Sequence, residues 1–207
     1  KVPGAVGLVL VVCGVVIALA VGVPLVRLTM WAAESSRDGT AATVAGGLGH
    51  HLSGSLIITV LAVITCLVLG TALALMVRRR GAVGRLLGRI SSLGYAVPGP
   101  VVAVGAVITL AAIDRSGIVP GTILVGSLVG LVFALVVRFL AVSFYGIEAG
   151  LNRVPAAAVG SARTLGAGPT RIAWRVEIPA ARMAILTAAA LLTIDLMKEL
   201  PITLLLR

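Results

Sequence analysis

The chain has 207 residues, 59% of them hydrophobic and 12% charged, with a formal net charge of +10. A soluble domain carries about a quarter charged residues, so this composition excludes an ordinary soluble globule and makes lipid the solvent. Most of the arginines lie in short segments between apolar runs, so the positive charge reports membrane topology rather than nucleic-acid binding.

Apolar windows near residues 5–30, 52–77, 93–113, 118–147 and 183–204 predict five membrane-spanning helices. The fold class is therefore an all-α polytopic transmembrane bundle. Strands are not expected, because the runs lack the alternation of a membrane barrel. The first run, Ala5 to Val26, is longer than the apolar core of a secretory signal and reads as a true span. The chain starts without Met and stops at Arg207 inside a resumed apolar stretch, which suggests a piece of a longer polypeptide. Cys13 and Cys66 fall inside apolar runs without a second Cys or a His at metal-ligand spacing, so neither a disulfide framework nor a zinc site is expected. His50 and His51 are assigned to an outer Gly-rich loop, as plain solvated residues or as contacts for a delivered metal or binding protein.

Arg78, Arg79, Arg80, Arg85 and Arg89 crowd one connection, and Arg153, Arg163, Arg171, Arg175 and Arg182 another. The other connections hold Arg27 and Arg37, and Arg115. The positive-inside bias then puts the two rich segments and the N-terminus in the cytoplasm. In the third window, Pro98-Gly99-Pro100 removes two backbone donors and predicts a break or kink. Broken helices are tolerated against protein or a water-filled cavity, which makes Pro98 and Pro100 candidates for the translocation path. A kink at the cytoplasmic mouth of the span accounts for the same residues. Gly126-xxx-Gly130 is expected to give the fourth span a smooth packing face.

Residues 148–182 are too polar for lipid and read as two short helices around a glycine turn. Asn152 is the expected cap and Pro155 lies in the opening turn; Gly166 suits a left-handed stop, Pro169 starts the second helix and Pro179 ends it. Ala162, three residues, Gly166, nine residues and then Val176-Glu177-Ile178-Pro179 resembles the EAA loop of bacterial ABC importer permeases. That pattern runs Glu-Ala-Ala, three residues, Gly, nine residues, Ile-x-Leu-Pro. The resemblance implies a coupling loop whose helix docks in a groove of an ATPase, with Gly160, Ser161, Ala162, Arg163, Gly166, Val176, Ile178 and Pro179 as the coupling residues. Gly160 stands where the pattern has Glu and Ser161 where it has the first Ala, so polar specificity passes to Arg163 or Arg171.

The last window holds Asp195, Lys198, Glu199 and Pro201. On one continuous helix, 195, 198 and 199 share a face, so Lys198 can neutralise Asp195 with Glu199 beside them. Charges at that depth are costly unless paired, which argues for a substrate path. An Asp195–Lys198 pair that merely locks two helices explains the same residues. Met197-Lys198-Glu199-Leu200-Pro201 is similar to the ferric-iron branch of these permeases. Oxygen donors such as Asp195 and Glu199 suit a hard trivalent ion, with Pro201 freeing a carbonyl one turn earlier.

No Gly-x-x-x-x-Gly-Lys-Ser/Thr loop is present and the lysines are Lys1 and Lys198 alone, so the chain cannot cradle ATP by that route. No hydrolase or zinc-protease motif occurs, and no enzyme is expected. The resemblance implies one permease domain over residues 1–207 in the bacterial inner membrane, with no cofactor of its own. Its implied partners are two cytoplasmic ATPase subunits carrying ATP and Mg, a second permease half and an extracytoplasmic binding protein, and no nucleic acid. The cargo is then ferric iron, or thiamine, a polyamine or another small solute. A secondary carrier relaying ions through Asp195, Lys198 and Glu199, or a membrane anchor, are the rivals from other classes.

Overall fold

The structure, a computed structural model, describes the backbone of residues 3–37, 40–117 and 123–206 and the side chains of 6–37, 52–79, 81–117 and 123–206. All its regular elements are helical. They are α1 (Pro3–Arg37), α2 (Thr40–Ala96), α3 (Gly99–Ser116), α4 (Leu128–Asn152), α5 (Ala156–Thr164), α6 (Pro169–Ile172), a π turn (Ala173–Glu177), α7 (Ile178–Ala180), α8 (Arg182–Met197) and α9 (Leu200–Leu206). Four helical stretches are long and apolar enough to cross a bilayer: Val6–Arg37, Leu52–Arg79, Gly99–Ser116 and Leu128–Asn152. Pro169–Ala180 with Arg182–Met197, bent by 69°, makes a fifth if the pair is taken as one span.

The chain divides into two compact units, Lys1–Gly54 and Ser55–Arg207. In the first, α1 from Val6 to Trp31 is apolar except at Arg27 and Thr29 and is almost all exposed, as suits a helix whose solvent is lipid. His50 and His51 lie in the helical backbone of α2, not in a loop. In the second, Ala62, Cys66, Ala103, Leu131, Leu135, Phe139, Leu192 and Ile202 form the main buried cluster, drawn from α2, α3, α4, α8 and α9. With no hydrophobic force between helices in lipid, close packing and polar contacts across helices must hold such a bundle. Ser143 Oγ donates to the Cys66 carbonyl at 2.8 Å, and Gly94 lets α2 lie directly on α4, where a Cβ would collide with the Val137 carbonyl.

Several expected boundaries move, each for a local reason. Gly81, at φ 52°, breaks α2 just past Arg79, so the second arginine-bearing stretch, with Arg85 and Arg89, is a helix rather than a loop. The interruption expected inside the third span falls before it: α3 begins at Gly99 with Pro100 in its first turn, where a missing N–H breaks no bond. Gly126 lies outside α4 at φ 78°, and Ser127 caps that helix by accepting from the Gly130 N–H at 3.0 Å. Gly126 and Gly130 therefore do not form a helix face. The last window is two helices, because the turn at Lys198 and Glu199 separates α8 from α9.

Gly94→Ala should lower the Tm in detergent by the equivalent of about 1–3 kcal/mol through overpacking against backbone. Gly105→Ala, where a Cβ meets nothing within 4 Å, should leave it unchanged.

Candidate coupling loop and intramembrane charge pair

The polar segment after α4 folds as a small body with its own core. Val154, Val159 and Ile172 are buried together, with Ala162, Ala167 and Val176 packed on them. Asn152 is the last residue of α4, and Pro155, at φ −59° and ψ 133°, occupies the capping position expected of it. The far end of α5 closes as expected. Gly166 adopts φ 78°, its N–H donates to Arg163 O at 2.9 Å, and the Ala167 N–H reaches Ala162 O at 3.0 Å. This paired return is the glycine-stopped helix end that only a residue without a Cβ forms cheaply.

Pro169 opens α6 as expected, and the second helix ends at Ala180, one residue past Pro179, before α8 starts at Arg182. The chain remains helical to Ala180 by widening: the Ile178 N–H donates five residues back, to Ala173 O. The wide turn accommodates a proline ring that clashes with a regular α-helical ladder, and the 69° bend into α8 follows it.

The predicted coupling residues separate by face. Ser161 is exposed, its hydroxyl satisfied by Ala157 O at 2.9 Å, and Leu165, which was not among the predicted residues, is 87% exposed just past the end of α5. Gly160 and Arg163 instead line an inner cavity with Arg78, Arg79 and Glu177. Ala162 and Val176 serve the loop's own core, Ile178 packs in a groove with Leu67, Leu75 and Trp174, and Pro179 is exposed.

The fastening of this body to the bundle is a residue the motif reading passed over. Glu177 is only 4% exposed; its Oε1 lies 3.4 Å from Arg78 Nε and its Oε2 3.4 Å from Arg79 Nη2. Arg79 Nη2 also donates to Pro169 O at 2.7 Å, and Arg78 Nη1 donates to Leu151 O. Arginines that read as topology markers thus clamp both ends of the loop to the foot of α2. The available signal was Glu177 itself, the one acid between Glu148 and Asp195.

Deeper in the bundle the six expected pathway residues part company. Lys198 Nζ pairs with Asp195 Oδ1 at 3.3 Å on an accessible face, and Asp195 borders a cavity with Ser92, Tyr95 and Tyr145. Glu199 is 8% exposed and faces away from that pair because the helix ends at Met197. Its Oε2 lies 3.2 Å from Nε of Arg138, a charge in the middle of α4 that the sequence reading missed. An ionisable residue inside a 25-residue apolar helix is itself the signal that finds it. Arg138 Nη1 donates to Val97 O at 3.2 Å, a carbonyl at the break before Pro98. A Cβ on Gly99 would sit 2.7 Å from Glu199 Oε1, so the Pro98–Pro100 break and Glu199 do meet. Pro201 lies in the first turn of α9 and kinks nothing. Neither Glu199 Oε1 nor Arg138 Nε has a hydrogen-bond partner, so this pair is held by charge and burial more than by bonding. Asp195 and Glu199 do not converge as joint cation ligands, and among the described residues no three His, Cys, Asp or Glu come together.

Residues 66–206 match the protein family described as binding-protein-dependent transport system inner membrane component. The match takes in both sites and more than half of the chain. No curated protein matches it.

Glu177→Ala should free the loop, read as faster hydrogen exchange across residues 156–177. The cost should fall below the about 3–5 kcal/mol of a fully buried pair, because Arg79 is a third exposed. For the deeper pair, Glu199→Leu strands Arg138 and should lower the Tm markedly. Arg138→Met together with Glu199→Leu should recover most of that loss, as apolar replacement of a whole buried pair does.

Proposed function

The chain belongs to the binding-protein-dependent inner-membrane transport components, and we propose that within this family its cargo is ferric iron. As a permease of an ABC importer it is a multi-pass membrane protein that works with an ATPase and a substrate-binding protein. In the proposed assembly two ATPase subunits hold ATP and Mg, a second permease half completes the path, and the N-terminal end of this segment lies in the cytoplasm. Residues 148–182 act as the coupling loop.

The observation that carries the coupling role is the double attachment of Glu177 to Arg78 and Arg79. A force applied to the outer face of α5 reaches the foot of α2 through charge contacts, and reaches α8 across the bend at Ala181, where α7 ends at Ala180 and α8 starts at Arg182. Leu165 and Ser161 supply that outer face, with Ala157 and Ala158 beside them. Small side chains let a partner surface approach the helix backbone, and one exposed leucine gives it an apolar anchor.

The iron reading rests on the Met197-to-Pro201 run and on an acid-bearing break facing a proline break. Glu199 offers a hard oxygen at the point where α3 and α9 start. With a single acid there, passage is transient rather than storage in a cage. The secondary-carrier rival is disfavoured because Asp195–Lys198 and Glu199–Arg138 are separate compensated pairs rather than a relay.

Gly166→Leu forces a branched side chain into a left-handed conformation, at a cost of about 1–2 kcal/mol, and should reorient α5. ATP hydrolysis by the assembled transporter should persist while uptake falls, with the protein still in the membrane; unchanged uptake would remove the coupling role. Labelled ferric iron, challenged with thiamine and polyamine competitors, tests the cargo.

A further inference from the structure

The inner face of α5 closes a cavity of about 280 Å³ against the foot of α2. Three guanidinium groups, Arg78, Arg79 and Arg163, line it with one carboxylate, Glu177. That carboxylate is already divided between Arg78 and Arg79. A guanidinium has five N–H donors, and the contacts to Glu177, Leu151 O and Pro169 O leave donors of both residues unused. The Arg163 side chain has no ion-pair or hydrogen-bond partner among the described residues. Like charges gathered at the membrane boundary around one acid call for a second anion, and no other Asp or Glu lines the cavity.

Gly160 marks where such an anion fits. A Cβ built there meets nothing within 4 Å, so the cavity has an open wall between Val159 and Arg163. A water molecule occupies about 30 Å³ of liquid, so the space holds a tetrahedral oxyanion with part of its hydration shell. The apolar stretch Leu52–Arg79 ends at the cavity's own arginines, which sets it at headgroup depth.

We infer that this cavity binds a phosphate oxyanion, either inorganic phosphate or the phosphate of an anionic lipid headgroup, and that the bound anion ties α5 to α2. Arginine suits that ligand, since its planar fork matches phosphate oxygens in pairs. The anion neutralises Arg163 against Arg79 and stiffens the loop from its inner side, leaving the Ser161 and Leu165 face free.

The test uses the full chain in phosphatidylcholine nanodiscs, with thermal unfolding read in sodium phosphate and in sodium chloride at matched ionic strength. A parallel arm uses discs containing phosphatidylglycerol without phosphate. A saturable rise in Tm with phosphate over chloride assigns the soluble ion. A rise in phosphatidylglycerol discs that abolishes the phosphate effect assigns the headgroup. Arg163→Ala, an exposed substitution, should weaken the apparent affinity about tenfold, the worth of one charge-assisted bond. Gly160→Glu should place a carboxylate in the cavity, raise the Tm without added anion and remove the dependence. Equal Tm values in phosphate, chloride and both lipids overturn the inference, as does an undiminished anion response in Gly160→Glu. No ATPase is present, so the result is independent of the docking role.

Discussion

A charge surrounded by apolar helices must be compensated by a neighbour, and in this chain compensation is what joins elements distant in sequence. Glu177 is buried because Arg78 and Arg79 meet it, and with it the whole segment after α4 is fixed to the foot of α2. Arg138 is tolerated in the middle of α4 because Glu199 faces it, and that contact holds the start of α9 beside the start of α3. Apolar packing in lipid has little directionality, so these two contacts specify which helix ends meet.

The breaks in the helices lie next to the charges. Val97, before Pro98, turns its carbonyl to Arg138, and the turn at Lys198 and Glu199 presents Glu199 to the same guanidinium. At the loop, Gly81 ends the first part of α2 just after the arginines, and the π turn bends the chain beside Glu177. Each break supplies unpaired backbone groups or a change of direction that a regular span lacks. A transporter that alternates access needs such points, where segments reorient without unwinding a whole span.

Much of this was legible in the sequence because lipid imposes simple rules. Apolar length gave the helical class and most spans, and the Gly166 and Pro169 punctuation gave the loop's two helices and its left-handed stop. The rest depended on tertiary partners. Periodicity put 195, 198 and 199 on one face, but it presumes an unbroken helix, and the chain turns at 198 and 199. Arg138 escaped because its strongly apolar surroundings dominate any window average. Pro179 read as a terminator, and the helix does stop one residue later, but the π turn ahead of it left no mark in the sequence. Gly160 read as a lost docking charge, whereas its backbone faces an inner arginine cavity.

α5 is a fastened element, and in the proposed assembly its outer face is the one turned to the ATPase. A photoactivatable residue at position 165, in chain coexpressed with the ATPase subunit of its transporter, tests it directly. A specific adduct with the ATPase is expected from position 165, and none from position 145, whose tyrosine is exposed on α4. An assembly that hydrolyses ATP and imports substrate yet gives no adduct from position 165 would contradict this placement of α5.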